Sequence, residues 1–96
     1  MGYYTNYEIE EEETGDTRVI EEVKKESGYD WSDNYLTSVK WYDWGEDCIK
    51  VSKRFPDSTI LLKGNGEEDD DVWMVRVKNG RITWAKRKVT WSWPDE

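Results

Sequence analysis

Histidine is absent from this 96-residue chain, and cysteine occurs once, at Cys48. The first absence removes the commonest general base and the commonest metal ligand. The second excludes an internal disulfide and any zinc cage built on several cysteines. A basic-then-apolar leader is missing, and no apolar run approaches the length of a bilayer span, so a cytoplasmic address without a membrane partner is expected. With no His and no evident nucleophile–base pair, the chain is expected to be no enzyme and to carry neither metal nor other cofactor.

Apolar residues are also scarce, at 35% against 38% charged residues and a net charge of −8, a balance that borders on disorder. The aromatics reverse that reading. Seven Trp, six Tyr and one Phe stand in the chain, and each buries ~150–250 Å² when packed. One small α+β domain over residues 1–96 is expected, too short for a second core.

Charge is unevenly spread. Residues 1–33 hold eleven acids and three bases, whereas residues 72–96 hold two acids and six bases. Acidic and basic strands lying side by side would explain this, because opposite charges across a ladder attract.

Tyr3 to Glu12 alternates with period two, setting Tyr3, Thr5, Tyr7 and Ile9 against Tyr4, Asn6, Glu8 and Glu10, as in a strand. Thr14-Gly15-Asp16 breaks it. Asp16 or Thr17 can then cap a short helix that places Val19, Ile20 and Val23 on one side, with Glu21 and Lys25 four apart and Gly28 closing it. Tyr29 to Asn34 reads as a loop and Tyr35 to Trp41 as a second strand, Val39 and Trp41 sharing a face. Asp43-Trp44-Gly45-Glu46 has the spacing of a capping box. The stripe Trp44, Cys48, Val51, Phe55 predicts a helix from Asp43 or Trp44 to Phe55, ended by Pro56. Ser58 to Lys63 reads as a strand with Ile60 and Leu62 inward. An acidic loop from Gly64 to Asp71 follows.

Asn79-Gly80 between Val72–Lys78 and Arg81–Trp93 is the strongest two-residue hairpin signal, pairing Val77 with Ile82 and Val75 with Trp84. Beyond Trp84 the apolar phase moves to odd positions, which predicts a bulge or break between Ala85 and Lys88. The order is β-α-β-α-β-β-β. A ferredoxin-like mixed or antiparallel sheet is expected, with both helices on one face and a C-terminal hairpin.

Tyr3-Tyr4-Thr5, Lys40-Trp41-Tyr42, Glu46-Asp47, Phe55-Pro56 and Gly64-Asn65-Gly66-Glu67-Glu68 form a pattern, continued by Asp71-Val72-Trp73 and Asn79-Gly80. It resembles small uncharacterised proteins of bacteriophages and their bacterial hosts, and distantly the ferredoxin-like domain of Api92-type phage proteins. The likeness spans most of the chain and implies a fold and a phage or mobile-element setting, not an activity. Trp84, Trp91 and Trp93 depart from it. The cytoplasm would then be that of a bacterium or an infected host cell.

Three chemical sites were weighed against plainer readings. Glu67 to Asp71 could ligate a hard cation, but five consecutive acids cannot all face one ion, and a solvated loop is favoured. Glu8 and Glu10 share a face as a carboxylate pair would, yet a polar outer strand face explains them. Cys48 sits on an apolar stripe, where a buried inert thiol is the default.

Two binding readings remain. Aromatic and acidic residues together suit a module that docks on a host protein, with Glu8, Glu10, Glu11, Glu12, Glu67, Glu68, Asp69, Asp70, Trp84, Trp91 and Trp93 as the partner-binding set. With the phage resemblance this becomes an inhibitor or modulator of a bacterial protein, for instance of a defence system; its acids could also imitate DNA. The alternative is a platform for single-stranded nucleic acid, built from Arg76, Lys78, Arg81, Lys86, Arg87 and Lys88 interleaved with Trp73, Trp84, Trp91 and Trp93. The net charge of −8 disfavours it. Self-association stays open.

Overall fold

The computed structural model describes residues 4–66, 72–87 and 91–94, the side chains of residues 86, 87, 91 and 92 excepted. The elements are β1 (Thr5–Glu11), α1 (Thr17–Ser27), β2 (Tyr35–Val39), α2 (Trp44–Arg54), β3 (Ile60–Asn65), β4 (Val72–Lys78) and β5 (Arg81–Trp84). A short ribbon of β6 (Lys86–Arg87) and β7 (Trp91–Ser92) follows. The expected β-α-β-α-β-β-β order is present.

The five main strands form one sheet, ordered β2-β1-β3-β4-β5, in which every neighbouring pair is antiparallel. Because β1 runs against both β2 and β3, those two run parallel with β1 between them, and β2-α2-β3 is a split β-α-β unit. From β3 onward the sheet is a plain meander. Tyr7, Ile9, Leu36, Ile60, Leu62, Val75 and Val77 turn to one face and meet Val19, Ile20, Val23, Cys48 and Val51 in one buried cluster. Both helices therefore cover the same face.

The helices follow from their caps and stripes. Asp16 caps α1 by accepting from the Arg18 N–H at 3.0 Å, and Gly28 ends it at φ 75°, a left-handed conformation open to glycine at no steric cost. The expected Glu21–Lys25 pair is replaced: Glu21 pairs with Lys24 at 3.4 Å and Lys25 with Glu22 at 3.5 Å, since i,i+3 neighbours meet as readily as i,i+4. Helix α2 spans the expected residues and buries Cys48 and Val51.

Its expected capping box does not form. Asp43 takes the cap position without a side-chain hydrogen bond, at φ −96° and ψ 20°. The extended backbone that lets a cap side chain reach back over the first turn is absent there.

Strand β2 carries a feature that its alternation conceals. Its register with β1 shifts between Thr5 and Tyr7, and Ser38 has φ 55°, so even-numbered Leu36 and odd-numbered Val39 both reach the core side. Strand β3 runs to Asn65, past the expected end at Lys63. The hairpin is as expected: Asn79 (φ 47°) and Gly80 (φ 81°) make the turn, with Val77 opposite Ile82 and Val75 opposite Trp84. The Gly80 N–H donates to Ser52 Oγ at 2.8 Å, tying the turn to α2. Strand β5 stops at Trp84 and β6 joins the separate ribbon, the break expected from the phase shift.

Among the described residues, no helix covers the opposite face of the sheet. Leu61, only 5% exposed, lies there outside the main cluster, in register between Glu10 and Arg76. The Trp93 ring stacks on the Arg76 guanidinium at 3.8 Å, so the C-terminal segment returns over this face.

Candidate docking surface

The acids of the N-terminal run fall into three kinds. Glu11 is used internally. Its carboxylate accepts from the N–H groups of Glu13 (3.0 Å), Thr14 (2.7 Å), Gly15 (2.5 Å) and Thr59 (3.0 Å), pinning the β1–α1 loop to the start of β3. Burial pushes its pKa up, but these N–H groups outweigh burial and hold it below the ordinary value.

Glu12 and Glu13 are neutralised. Arg76 Nε donates to Glu12 at 2.7 Å and Lys78 Nζ to both Glu13 oxygens at 2.9 Å, while the Thr59 hydroxyl also donates to Glu13. The Thr59 hydroxyl and then Lys78 hold the Glu13 carboxyl below its ordinary range. The acidic and basic stretches thus do meet, but not as neighbouring strands, since β3 lies between β1 and β4. These side chains line a groove of about 690 Å³ with Pro56, Asn79, Arg81 and Thr83. Two of its three cations are already held by carboxylates, which leaves little for an incoming phosphate.

Glu8 and Glu10, half-buried on the opposite face of the sheet from the helices, form the third kind: neither side chain makes a hydrogen bond or ion pair among the described residues. Glu67, Glu68, Asp69 and Asp70 lie outside the described residues, as does the Trp91 side chain. Trp93 is engaged with Arg76. Trp84 is 52% exposed.

Trp84 is the surface end of a run of rings that crosses the sheet. Trp31 meets Trp41 edge-on at 5.8 Å, Trp41 meets Tyr7 at 5.3 Å, and Tyr7 meets Trp73 at 5.9 Å. Trp73 stacks on Trp44 at 4.7 Å, and Trp84 packs against both, at 5.8 Å and 5.6 Å. Buried indole N–H groups are satisfied along the way, Trp41 donating to Asp47 at 2.8 Å and Trp31 to Ser27 at 3.0 Å. One side of Trp84 is therefore braced by two rings and the other faces solvent.

No family model matches this chain, and neither a curated protein nor a solved structure is significantly similar to it. The reading of the surface rests on its own chemistry.

Sequence reasoning passed over the exposed tyrosines. Tyr4, Tyr35 and Tyr42 are more exposed than Tyr29, and all four lie in or beside β2 and its flanking loops. A signal existed: Tyr29 and Tyr35 bracket the polar loop of Asp30, Ser32, Asp33 and Asn34, from which only Trp31 turns to the core. Cys48, by contrast, is fully buried, and burial followed by the Asp47 charge pushes its thiol up to about 12. Among the described residues no three acids or thiols converge to hold a metal ion, and no helix is long and apolar enough to cross a membrane.

Proposed function

We propose that the chain is a small acidic protein-binding module that acts by direct binding and not by turnover. Trp84 carries this reading: an indole about half exposed, held rigid by Trp44 and Trp73, is the form of a preorganised interface anchor. The first turn of α2 places Asp43 and Glu46 next to Trp44 in sequence, and neither makes an ion pair among the described residues. A rigid aromatic beside un-neutralised acids favours a protein partner with basic character.

The phage-like residues from Tyr3-Tyr4-Thr5 through Asn79-Gly80 supply the setting: an inhibitor or modulator of a bacterial host protein, in the cytoplasm of the bacterium. The ferredoxin-like kinship belongs to the same proposal and is supported by the split β2-α2-β3 unit. DNA imitation is the narrower variant, and pairing of Glu12 and Glu13 with Arg76 and Lys78 weakens it. The same pairs, with Trp93 on Arg76, also speak against a nucleic-acid platform on the sheet.

Affinity capture from bacterial lysate by the wild-type chain and by Trp84→Ala, followed by reconstitution from purified components, tests the module. A protein held by the wild type and bound at least roughly tenfold more weakly by the variant is expected, the loss typical of an anchor residue. Failure to reconstitute any complex would remove the reading.

A further inference from the structure

The edge of the sheet at β2 carries exposed tyrosines, with acids that lack counter-charges among the described residues. Tyr4, Tyr29, Tyr35 and Tyr42 are 52%, 38%, 55% and 70% exposed. They lie along the β2 edge, where contacts join Tyr29 and Tyr4 through Lys40. The Tyr29 hydroxyl donates to the Lys40 carbonyl at 3.0 Å, Lys40 Nζ lies 4.9 Å from the Tyr4 ring centre, and Tyr35 stands opposite Glu8 in the β1–β2 register. Tyr42 follows two residues after Lys40.

Glu8 faces Tyr35 in the register, Asp30 and Asp33 lie between Tyr29 and Tyr35 in the chain, and Asp43 follows Tyr42; the side chains of these four acids make no hydrogen bond or ion pair among the described residues. The acids of α1 and its cap differ: Asp16, Glu21, Glu22 and Glu26 are all paired with bases. Lys40 is the one basic residue between Gly28 and Asp47, and its charge is directed at Tyr4. Among the described residues, this edge thus combines exposed rings with carboxylates that no base neutralises.

Part of the β2 backbone is already used. Ser32 and Tyr35 exchange both of their backbone hydrogen bonds at 2.9 Å, and the Ser38 N–H is taken by Asn6 Oδ1 at 2.8 Å. We propose that this edge is the docking surface for a Lys/Arg-rich segment of another protein, whose guanidinium groups lie on the tyrosine rings and pair with the carboxylates of this edge. Tyrosine suits this role because it presents a wide amphipathic ring at small entropic cost. The assignment rests on the protein-binding reading and names the chemistry of its partner.

The test is an NMR titration of the isotope-labelled chain with a short capped arginine–glycine repeat peptide, compared with a glycine–serine peptide of equal length. Amide shifts are expected to concentrate at Tyr4, Tyr29, Tyr35, Thr37, Lys40 and Tyr42, and only with the arginine peptide. The charge-neutral variant Tyr35→Ser/Tyr42→Ser should bind roughly tenfold more weakly, whereas Glu21→Gln should stay within about twofold. An amide spectrum of each variant confirms that the fold is retained, and Asp30→Asn/Asp33→Asn supplies a second, independent loss. Shifts spread over all acidic positions, or undiminished binding by the tyrosine variant, would overturn the assignment. A lysate partner lost with Trp84→Ala but kept by the tyrosine variant would refute this edge and leave the module standing.

Discussion

Tyr7 and Trp73 meet edge-to-face at 5.9 Å across Gly64, which lies between them in register and has no side chain to keep them apart. A Cβ at Gly64 would fall 2.1 Å from Trp73 Cε2 and 2.3 Å from Cζ2, inside the ring's own volume. Gly64→Ala is therefore expected to cost ~1–3 kcal/mol, the range for overpacking a tight core, read from the urea midpoint. An unchanged midpoint would mean that the ring does not lie over Gly64.

Gly64 also shows where the sequence stops being legible. Periodicity found the core of both helices (Val19, Ile20, Val23; Cys48, Val51) and of β3 and β4 (Ile60, Leu62; Val75, Val77) because local spacing alone fixes those faces. Asn79-Gly80 fixed the hairpin register for the same local reason. Gly64 read as the start of a loop because the ring that requires a glycine arrives from another strand. The shift at Ser38 escaped because a one-residue change of phase inside five residues leaves no usable pattern. Of the expected site, Trp84 lies exposed and the Glu8 and Glu10 side chains have no partner among the described residues, but Glu11, Glu12 and Glu13 are tied to partners up to 65 positions away, which composition cannot reveal.

The acid side of the stability profile should follow from the carboxylates that are held low. Glu11, Glu13 and Asp16 all lie below their ordinary values of 4.5, 4.5 and 3.8. A value lowered by folding means that the native state favours the ionised form. The contribution is thus complete above the unfolded-state value and is lost as pH falls through the folded-state value. The urea midpoint should be flat from neutral pH to about 5 and fall below about 4.5. Glu11→Gln should cost about 1 kcal/mol at neutral pH, as loss of a cap does, and make the acid fall shallower.

The two helix caps should respond differently. Asp16→Ala removes an acceptor for the Arg18 N–H and should lower the melting temperature clearly. Asp43→Ala removes no side-chain bond and should stay within about 0.5 kcal/mol of the wild type, as ordinary surface changes do. Thermal melts of the two variants side by side decide this; equal losses would show that Asp43 caps α2 after all.

Cys48 should behave as core and not as a nucleophile. With the thiol buried and pushed up to about 12, iodoacetamide at neutral pH should leave the native chain unmodified and label it stoichiometrically in urea. Rapid labelling of the native chain would contradict the packing of α2 on the sheet.

On the proposed function, an acidic surface recruits a basic protein partner. The most direct measurement is the association rate of the reconstituted pair as a function of salt, for the wild type and for Glu8→Lys and Glu21→Lys. Steering by unpaired acids makes that rate fall steeply with salt, and fall at low salt for Glu8→Lys far more than for Glu21→Lys, whose position on α1 is already paired with Lys24. A rate indifferent to salt, or reduced equally by both reversals, would contradict the account.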